Sequence, residues 1–287
     1  MSCRIRLVFI CAATFVLFAP ISESSAAKIS PIIDERLKNI GLCNQSDREA
    51  LEARIQGCTA LINSQRKEPT LVLAIAHNNR GNAYSAKGDF DHAIEDYDLA
   101  IQLNPNYAHS YNNRGVVYLK KGDYDRAIND FDEAIRLSPS YARAFANRAE
   151  TYQIKHDYER ALQDYDNAIR IDPQLRPIWN GRCWARAIIG QLQEALSDCN
   201  KALNMEPDAA TYDSRGLVYL KLGQYDLAIE DYSSALRLQP RLSSALYGRG
   251  VAKLRKGDRS GGESDVAAAM ALKATIIRDF SRYGVRQ

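Results

Sequence analysis

The chain has 287 residues, of which 46% are hydrophobic and 25% are charged, and its formal net charge is only +3. This is the composition of an ordinary soluble protein with one or two domains. No block of basic residues stands out, so nucleic acid is not expected as a partner.

The N-terminus has the pattern of a secretory signal peptide. Arg4 and Arg6 precede a 13-residue apolar run, and a polar stretch of small residues follows it. A cleaved export signal has this order of basic, apolar and small residues, whereas a membrane span needs about 20 apolar residues. We expect cleavage after Ala26 or Ala27, which leaves a periplasmic mature protein that does not span the membrane. The alternative is retention of the segment as a membrane anchor.

The region after the signal is less regular and predicts a helical cap. A first short helix is expected to end at Gly41. Ser46 and Glu49 have the spacing of a capping box, which predicts a second helix that continues to about Ile62. Such a terminal unit would cover the apolar face of the first repeat in an array.

A pattern with a period of 34 residues, once 33, fills most of the remaining chain. Its clearest copy contains Arg114-Gly115, then Gly122-Asp123, then two Ala-Ile pairs, and it closes at Pro139. The small and aliphatic residues follow helical spacing. In the Gly-Asp pair, Gly ends one helix and Asp caps the next, and the closing Pro ends the second helix. Each copy therefore predicts a hairpin of two antiparallel helices.

Two copies depart from this pattern. In the third, His156 replaces the turn Gly, where a left-handed conformation would strain a histidine. In the sixth, Gly261-Gly262 replaces the alanine region and Ala274 replaces the closing Pro.

Stacked hairpins bury a continuous seam between neighbours. The predicted organisation is a signal peptide (1–27), a helical cap (28–73), five clear repeats (74–242), a degenerate sixth repeat (243–274) and a C-terminal capping helix or tail (275–287).

Every repeat carries an arginine followed 16 residues later by an aspartate. Because 16 residues lead the chain around the hairpin turn and back, each arginine is expected to meet its aspartate across the two helices. A partly buried arginine needs a carboxylate, and the two side chains suit a bidentate contact. The structural interpretation is an ion pair within each repeat, and the functional alternative is a ladder for an anionic ligand. The pairs are Arg80 and Asp96, Arg114 and Asp130, Arg148 and Asp164, Arg182 and Asp198, Arg215 and Asp231, and Arg249 and Asp265.

Four cysteines lie outside the predicted signal peptide, an even number that favours disulfides in an oxidising compartment. Four cysteines allow three pairings. Cys183 and Cys199 occupy positions where the other repeats have Gly or Ala facing an aromatic residue, a close contact that favours a bridge between them. Cys43 and Cys58 would then form the second bridge. A zinc site is the alternative, but the pairs lack close ligand spacing.

These recurring residues, from Arg80-Gly81 to Pro240, resemble the tetratricopeptide-repeat family over about residues 74–274. The resemblance implies an all-α fold, a right-handed superhelical solenoid of antiparallel helix pairs with helical caps. It implies that the first helix of each repeat lines a concave groove. It also implies a scaffold that binds a protein or extended peptide, without catalysis and without a cofactor.

Family geometry places a set of mostly polar residues on the concave face. Trp184 is either an anchor for a partner or part of the core beside Cys183. The amides among these residues could bind an extended peptide backbone. The candidate partner-binding residues are Asn78, Asn82, Asn112, Asn113, Arg143, Asn147, Glu150, Asn180, Trp184 and Tyr247.

Some members of the family hold the C-terminal carboxylate of a partner in a clamp of cations and asparagines. Asn82 and Asn113 match the clamp asparagines, and Arg143 stands for one lysine. Asn78 and Asn147 replace the other two cations, so two of three positive charges are lost. A true clamp is therefore not expected, although peptide recognition in general is.

No enzyme signature competes with this interpretation. Of the four histidines, only His77 and His92 share a repeat, and neither has a cysteine or carboxylate partner at the spacing of a catalytic triad or a metal site, so neither catalysis nor a metal is expected. Two alternative functions are a module that self-associates through its edge repeats and a protein that binds anionic glycans of the cell envelope.

Overall fold

The structure is a computed structural model that describes residues 35–45, 50–64 and 68–285. Within these ranges it contains fifteen α-helices and no β-strand. No helix in the described part of the chain is long and apolar enough to cross a membrane. The predicted signal peptide and the predicted capping box lie outside the described residues.

The helices follow one another as pairs, and six of these pairs are the predicted repeats. A preceding pair, α1 (residues 35–43) and α2 (Leu51–Ile62), forms the N-terminal cap, and one short helix, α15 (Ile276–Arg282), follows the repeats. The repeats are α3 (Thr70–Lys87) with α4 (Phe90–Leu103), α5 (Ala108–Lys120) with α6 (Tyr124–Leu137), α7 (Ala142–Ile154) with α8 (Tyr158–Ile171), α9 (Arg176–Ile189) with α10 (Leu192–Met205), α11 (Ala209–Lys221) with α12 (Tyr225–Leu238), and α13 (Ser243–Lys256) with α14 (Arg259–Leu272).

The pattern of helix contacts identifies the inner layer of the array. From α2 to α15, each helix packs against the next, and each first helix of a repeat also contacts the first helix of the following repeat. Among the described residues, no second helix contacts the second helix of the following repeat. The first helices therefore lie closer together and form the concave layer. The predicted all-α, right-handed superhelical solenoid is confirmed.

Two helix boundaries differ from the sequence prediction. α3 begins at Thr70, directly after Pro69, so the first repeat starts earlier than residue 74. α1 continues through Gly41 to residue 43. A glycine ends a helix when it takes a positive φ, and Gly41 does not, unlike the glycines of the repeat turns.

The turns inside the repeats have the chemistry that the sequence predicts. Gly122 has a φ of 79°, and the carboxylate of Asp123 accepts a hydrogen bond from the backbone N–H of Arg126 at 3.3 Å. In the third repeat His156 takes the same left-handed conformation with a φ of 63°. It is the one non-glycine residue with a positive φ in the described ranges, and this conformation is strained for a histidine.

Close contact between the paired helices explains the small residue beside each arginine. A Cβ atom added to Gly81 would lie 2.8 Å from the ring of Tyr97, and one added to Gly115 would lie 2.7 Å from the ring of Phe131. Both distances are too short for a real contact. These hairpins therefore close around one buried ring that lies against backbone, and Gly216 with Tyr232 repeats the arrangement in the fifth repeat.

All six arginines form bidentate ion pairs with the aspartates 16 residues later. The aspartates are buried, with Asp96 2% exposed and Asp265 8% exposed at the extremes. In each pair, the arginine Nε and Nη2 atoms donate to the two carboxylate oxygens over distances between 2.6 and 2.9 Å. Each pair joins the first and second helices of one repeat.

The remaining arginine nitrogen reaches the second helix of the preceding repeat. Nη1 of Arg114 donates to Asp98 at 2.5 Å, and Arg148 and Arg182 make the equivalent contacts to Asp132 and Asp166. The same arginine nitrogen of Arg80 donates to Thr59 of α2 at 3.0 Å. Each arginine therefore joins three helices, and the N-terminal cap enters the same arrangement as a degenerate repeat.

The two carboxylates that contact Arg148 should contribute very differently to stability. Asp164 is buried, so Asp164→Asn removes the buried charge partner of a largely desolvated guanidinium, and we expect a loss of about 3 kcal/mol in the free energy of unfolding. The side chain of Asp132 is 47% exposed, so Asp132→Asn should cost less than about 1 kcal/mol. Urea denaturation measures both values, and equal losses would contradict the structural role assigned to the buried pair.

The four cysteines form two disulfides. Cys43 is bonded to Cys58 within the N-terminal cap, and Cys183 is bonded to Cys199 across the two helices of the fourth repeat. The latter two residues are fully buried and stand where the fifth repeat has Gly216 against the ring of Tyr232. The bridge therefore replaces a glycine–aromatic contact inside the hairpin.

Two double variants test whether the Cys183–Cys199 disulfide is equivalent to the glycine–aromatic contact of the fifth repeat. The double substitution of Cys183→Ala and Cys199→Ala should lower the free energy of unfolding by about 3 kcal/mol, because it removes a covalent loop and leaves a void. Cys183→Gly with Cys199→Tyr should lose less, since it restores the packing of Gly216 and Tyr232. Thermal unfolding compares the two variants, and a greater loss in the Gly/Tyr variant would contradict the equivalence.

Candidate binding surface

The asparagines of the predicted groove bind one another. Nδ2 of Asn113 donates to Oδ1 of Asn78 at 3.0 Å, and Nδ2 of Asn147 donates to Oδ1 of Asn112 at 2.9 Å. Asn78 and Asn112 are 3% and 5% exposed. These amides form rungs between successive first helices, so their hydrogen-bonding capacity is used inside the protein. The expectation that they bind a peptide backbone needs correction for the two buried residues, which a partner cannot reach.

A fifth asparagine of the predicted set also has an internal partner. Oδ1 of Asn82 accepts a hydrogen bond from the hydroxyl of Tyr97 at 2.8 Å. Its side chain nevertheless lines an open cleft of about 520 Å³ together with Ser85, Ala86 and Lys120 of the first helices and Leu51 of α2. The N-terminal part of the concave face therefore offers a depression beside this asparagine.

Arg143 and Glu150 are the exposed charges of the predicted set. Both lie on α7, at positions equivalent to other concave residues of the repeats, and both are exposed. The concave face partly desolvates Glu150, which raises the pKa of its carboxyl. We call the concave surface of α3, α5 and α7 the open half.

The C-terminal segment, residues 276–285, covers the concave surface of α9, α11 and α13, which we call the covered half. The ring of Phe280 packs against that of Tyr247 at 4.7 Å, and the ring of Tyr283 meets that of Trp184 edge-on at 5.3 Å. Tyr247 is only 1% exposed and Val285 2%. Tyr247 is therefore a core residue beneath the chain's own C-terminus, which corrects its assignment to a partner surface. The sequence suggested a terminal helix but not its position inside the groove.

Trp184 and Asn180 also lie in the covered half. Trp184 is half-buried and contacts Tyr283 and Tyr158, so it is placed in the groove and not beside Cys183 in the hairpin core. Oδ1 of Asn180 is buried and has no hydrogen-bond partner in the described part of the chain. The asparagine rungs end before this repeat, because Gly181 and Ser214 replace the amides that would continue them.

A half-buried acidic residue that the sequence pattern did not reveal lies in the covered half. Asp213 occupies the position that Asn78, Asn112 and Asn180 hold in earlier repeats, and it is the one carboxylate at this position in the array. Its Oδ2 accepts a hydrogen bond from Ser244 at 2.7 Å, while its Oδ1 is buried without a partner in the described ranges. Burial raises the pKa of Asp213 to about 7. An aspartate at a position where three other repeats have asparagine is the sequence signal that could have identified it.

Asp213→Asn should stabilise the protein at alkaline pH. The folded-state pKa of about 7 lies above the ordinary value of 3.8, so the contribution of Asp213 to the free energy of unfolding falls as pH rises from about 4 to about 7. We expect the variant to gain roughly 2 kcal/mol or more at about pH 8 and little at about pH 4. Urea unfolding at both pH values measures the difference, and an equal gain at both would exclude ionisation of Asp213 as the cause.

Two family models match parts of the array. The model described as TPR repeat matches residues 81–122 and 216–257. The model described as tetratricopeptide repeat matches residues 108–141 and 142–175. These matches lie within the repeats identified from the sequence period. A comparison with curated proteins gave no match.

Solved structures of similar fold support the same architecture. YrrB, described as a TPR protein with an unusual peptide-binding site, is 23% identical over 68% of this chain and 98% of its own, with a TM-score of 0.54. A tetratricopeptide repeat protein from Parabacteroides merdae is 18% identical over 88% of this chain and 100% of its own, with a TM-score of 0.64. A chain of the APC/C hetero-tetramer Cut9–Hcn1 is 15% identical over 91% of this chain and 50% of its own, with a TM-score of 0.70. At these identities the likeness concerns the fold alone.

Proposed function

Because the chain belongs to the tetratricopeptide-repeat family, we propose that it is a non-catalytic scaffold that docks a protein or an extended peptide on the open half of its concave face. The observation that carries this proposal is the division of that face. The C-terminal segment covers α9, α11 and α13, whereas Arg143 and Glu150 remain exposed on α7.

The chemistry of the open half indicates how a partner would be held. Arg143 and Glu150 present opposite charges on one helix, and the cleft beside Asn82 adds Lys120 as a further cation. A partner with complementary charges would gain orientation and association rate from these groups. The peptide-binding site of YrrB is a precedent for this fold.

We further propose that the protein acts after export, in the periplasm. The basic and apolar N-terminal pattern supports this location. Two disulfides support it as well, because such bonds persist in oxidising compartments and are rare in reducing ones.

Site-directed photo-cross-linking tests the docking surface. A photoreactive amino acid at Arg143 should capture a partner from envelope extracts, while the same group at exposed Gln163 on α8 should not. With the captured partner purified, Arg143→Glu should weaken binding about tenfold through charge reversal, and Gln163→Glu should leave it unchanged. Equal capture from both positions, or capture of this chain alone, would contradict docking of a different protein on the open half.

A further inference from the structure

A cavity of about 330 Å³ lies between the covered half and the C-terminal segment. Its walls come from α9, α11, α13 and α15 and combine aromatic and aliphatic side chains, such as Trp184 and Phe280, with polar ones, among them Asp213 and Ser244. This volume is near the lower end for pockets that hold small molecules. A partly open space of this size, built from four helices and with both polar and apolar walls, can hold a compact organic group.

Among the polar groups of the cavity, the carboxylate of Asp213 lacks a charge partner in the described ranges. Lys273 is paired with Asp279 at 2.8 Å, so these two lining charges offset each other. Asp213 has no cationic partner in the described ranges, and Ser244 satisfies only one of its oxygens. The other oxygen is a buried acceptor without a donor, an arrangement that is costly in a protein interior.

The chemistry of these walls selects for a positively charged donor. The Asp213 carboxylate lines the cavity without a cationic partner in the described ranges, and an ammonium supplies both N–H donors and the missing charge. Aromatic faces attract cations as well, and Trp184 and Tyr283 lie on the cavity wall. No group of three or more metal-binding side chains is present among the described residues, and the single lining lysine is already paired, so neither a metal ion nor an anion matches the site.

We propose that this cavity binds an ammonium group on a short apolar body, with Asp213 accepting its hydrogen bond and the aromatic wall enclosing the body. The ammonium belongs either to a free small amine or to a lysine side chain of a peptide. The site does not depend on docking at the open half, so a failure here would leave the proposed scaffold function unaffected.

Calorimetry on the purified protein tests the site with matched probes. We expect 2-phenylethylamine to bind saturably and at least about tenfold more tightly than 2-phenylethanol, which replaces the ammonium with a hydroxyl. In a Trp179→Phe background, Trp184 is the remaining tryptophan, so its fluorescence should change with the same dissociation constant. Failure of every ammonium probe to bind, or equal affinity for the amine and the alcohol, would overturn the proposal.

Two charge-matched variants assign the binding to Asp213. Asp213→Asn keeps an acceptor for Ser244 and should fold, which circular dichroism and the thermal midpoint verify, yet it should lose the preference for the amine. Asp91→Asn removes one carboxylate from exposed surface on α4 and should retain that preference. Retention of the full preference by Asp213→Asn would overturn the proposal.

A second pair of probes distinguishes the sources of the ammonium. Nα-acetyl-lysine amide presents a lysine side chain between peptide groups, and Nα-acetyl-norleucine amide lacks the charge. Tighter binding of the lysine probe, lost in Asp213→Asn, would support recognition of a peptide side chain. Binding of 2-phenylethylamine without binding of the lysine probe would support a free amine.

Discussion

Each repeat is assembled around a buried aspartate whose two oxygens both accept hydrogen bonds from one arginine. The carboxylate is almost fully removed from water, and its two oxygens receive Nε and Nη2 of one guanidinium. The third guanidinium nitrogen then extends to the preceding repeat. Desolvation makes such a buried pair a weak source of net stability but makes the loss of either partner costly. The interaction therefore fixes how hairpins form and stack more than it adds to the free energy of unfolding.

This arrangement explains why arginine recurs at the same position of every repeat. An apolar side chain could fill the space between two helices, but it could not join three of them by directed hydrogen bonds. The contact to the preceding repeat changes along the array, since Asp98, Asp132 and Asp166 give way to neutral Asn200 and Ser233. For these arginines, charge pairing with the preceding repeat is thus confined to the junctions between the first four repeats, whereas their pairing within repeats is uniform.

The features that could be predicted from the sequence are those that recur with the period. Arginine and aspartate at a fixed spacing indicate facing positions, and Cys183 with Cys199 stands at positions where a tight contact is already implied. Position along a groove is harder to predict, because a side chain there can face solvent, a neighbouring helix or a distant segment. The sequence predicts that Asn78 and Asn113 are available to a partner in the groove, but their side chains hydrogen-bond to each other. The path of the C-terminal segment has no repeated counterpart, so no comparison between repeats could reveal it.

That path has a mechanical consequence. A solenoid transmits force through neighbours, so its curvature can change by small adjustments at each junction. Tyr283 and Phe280 connect α9 to α13 across the intervening repeat, which ties together elements that are not neighbours in the stack. Bending the array there requires breaking these aromatic contacts, whereas the first three repeats have no such brace among the described residues. The C-terminal repeats of the array therefore resist bending more than the first three repeats do. The open half lies on these first three, more easily bent repeats.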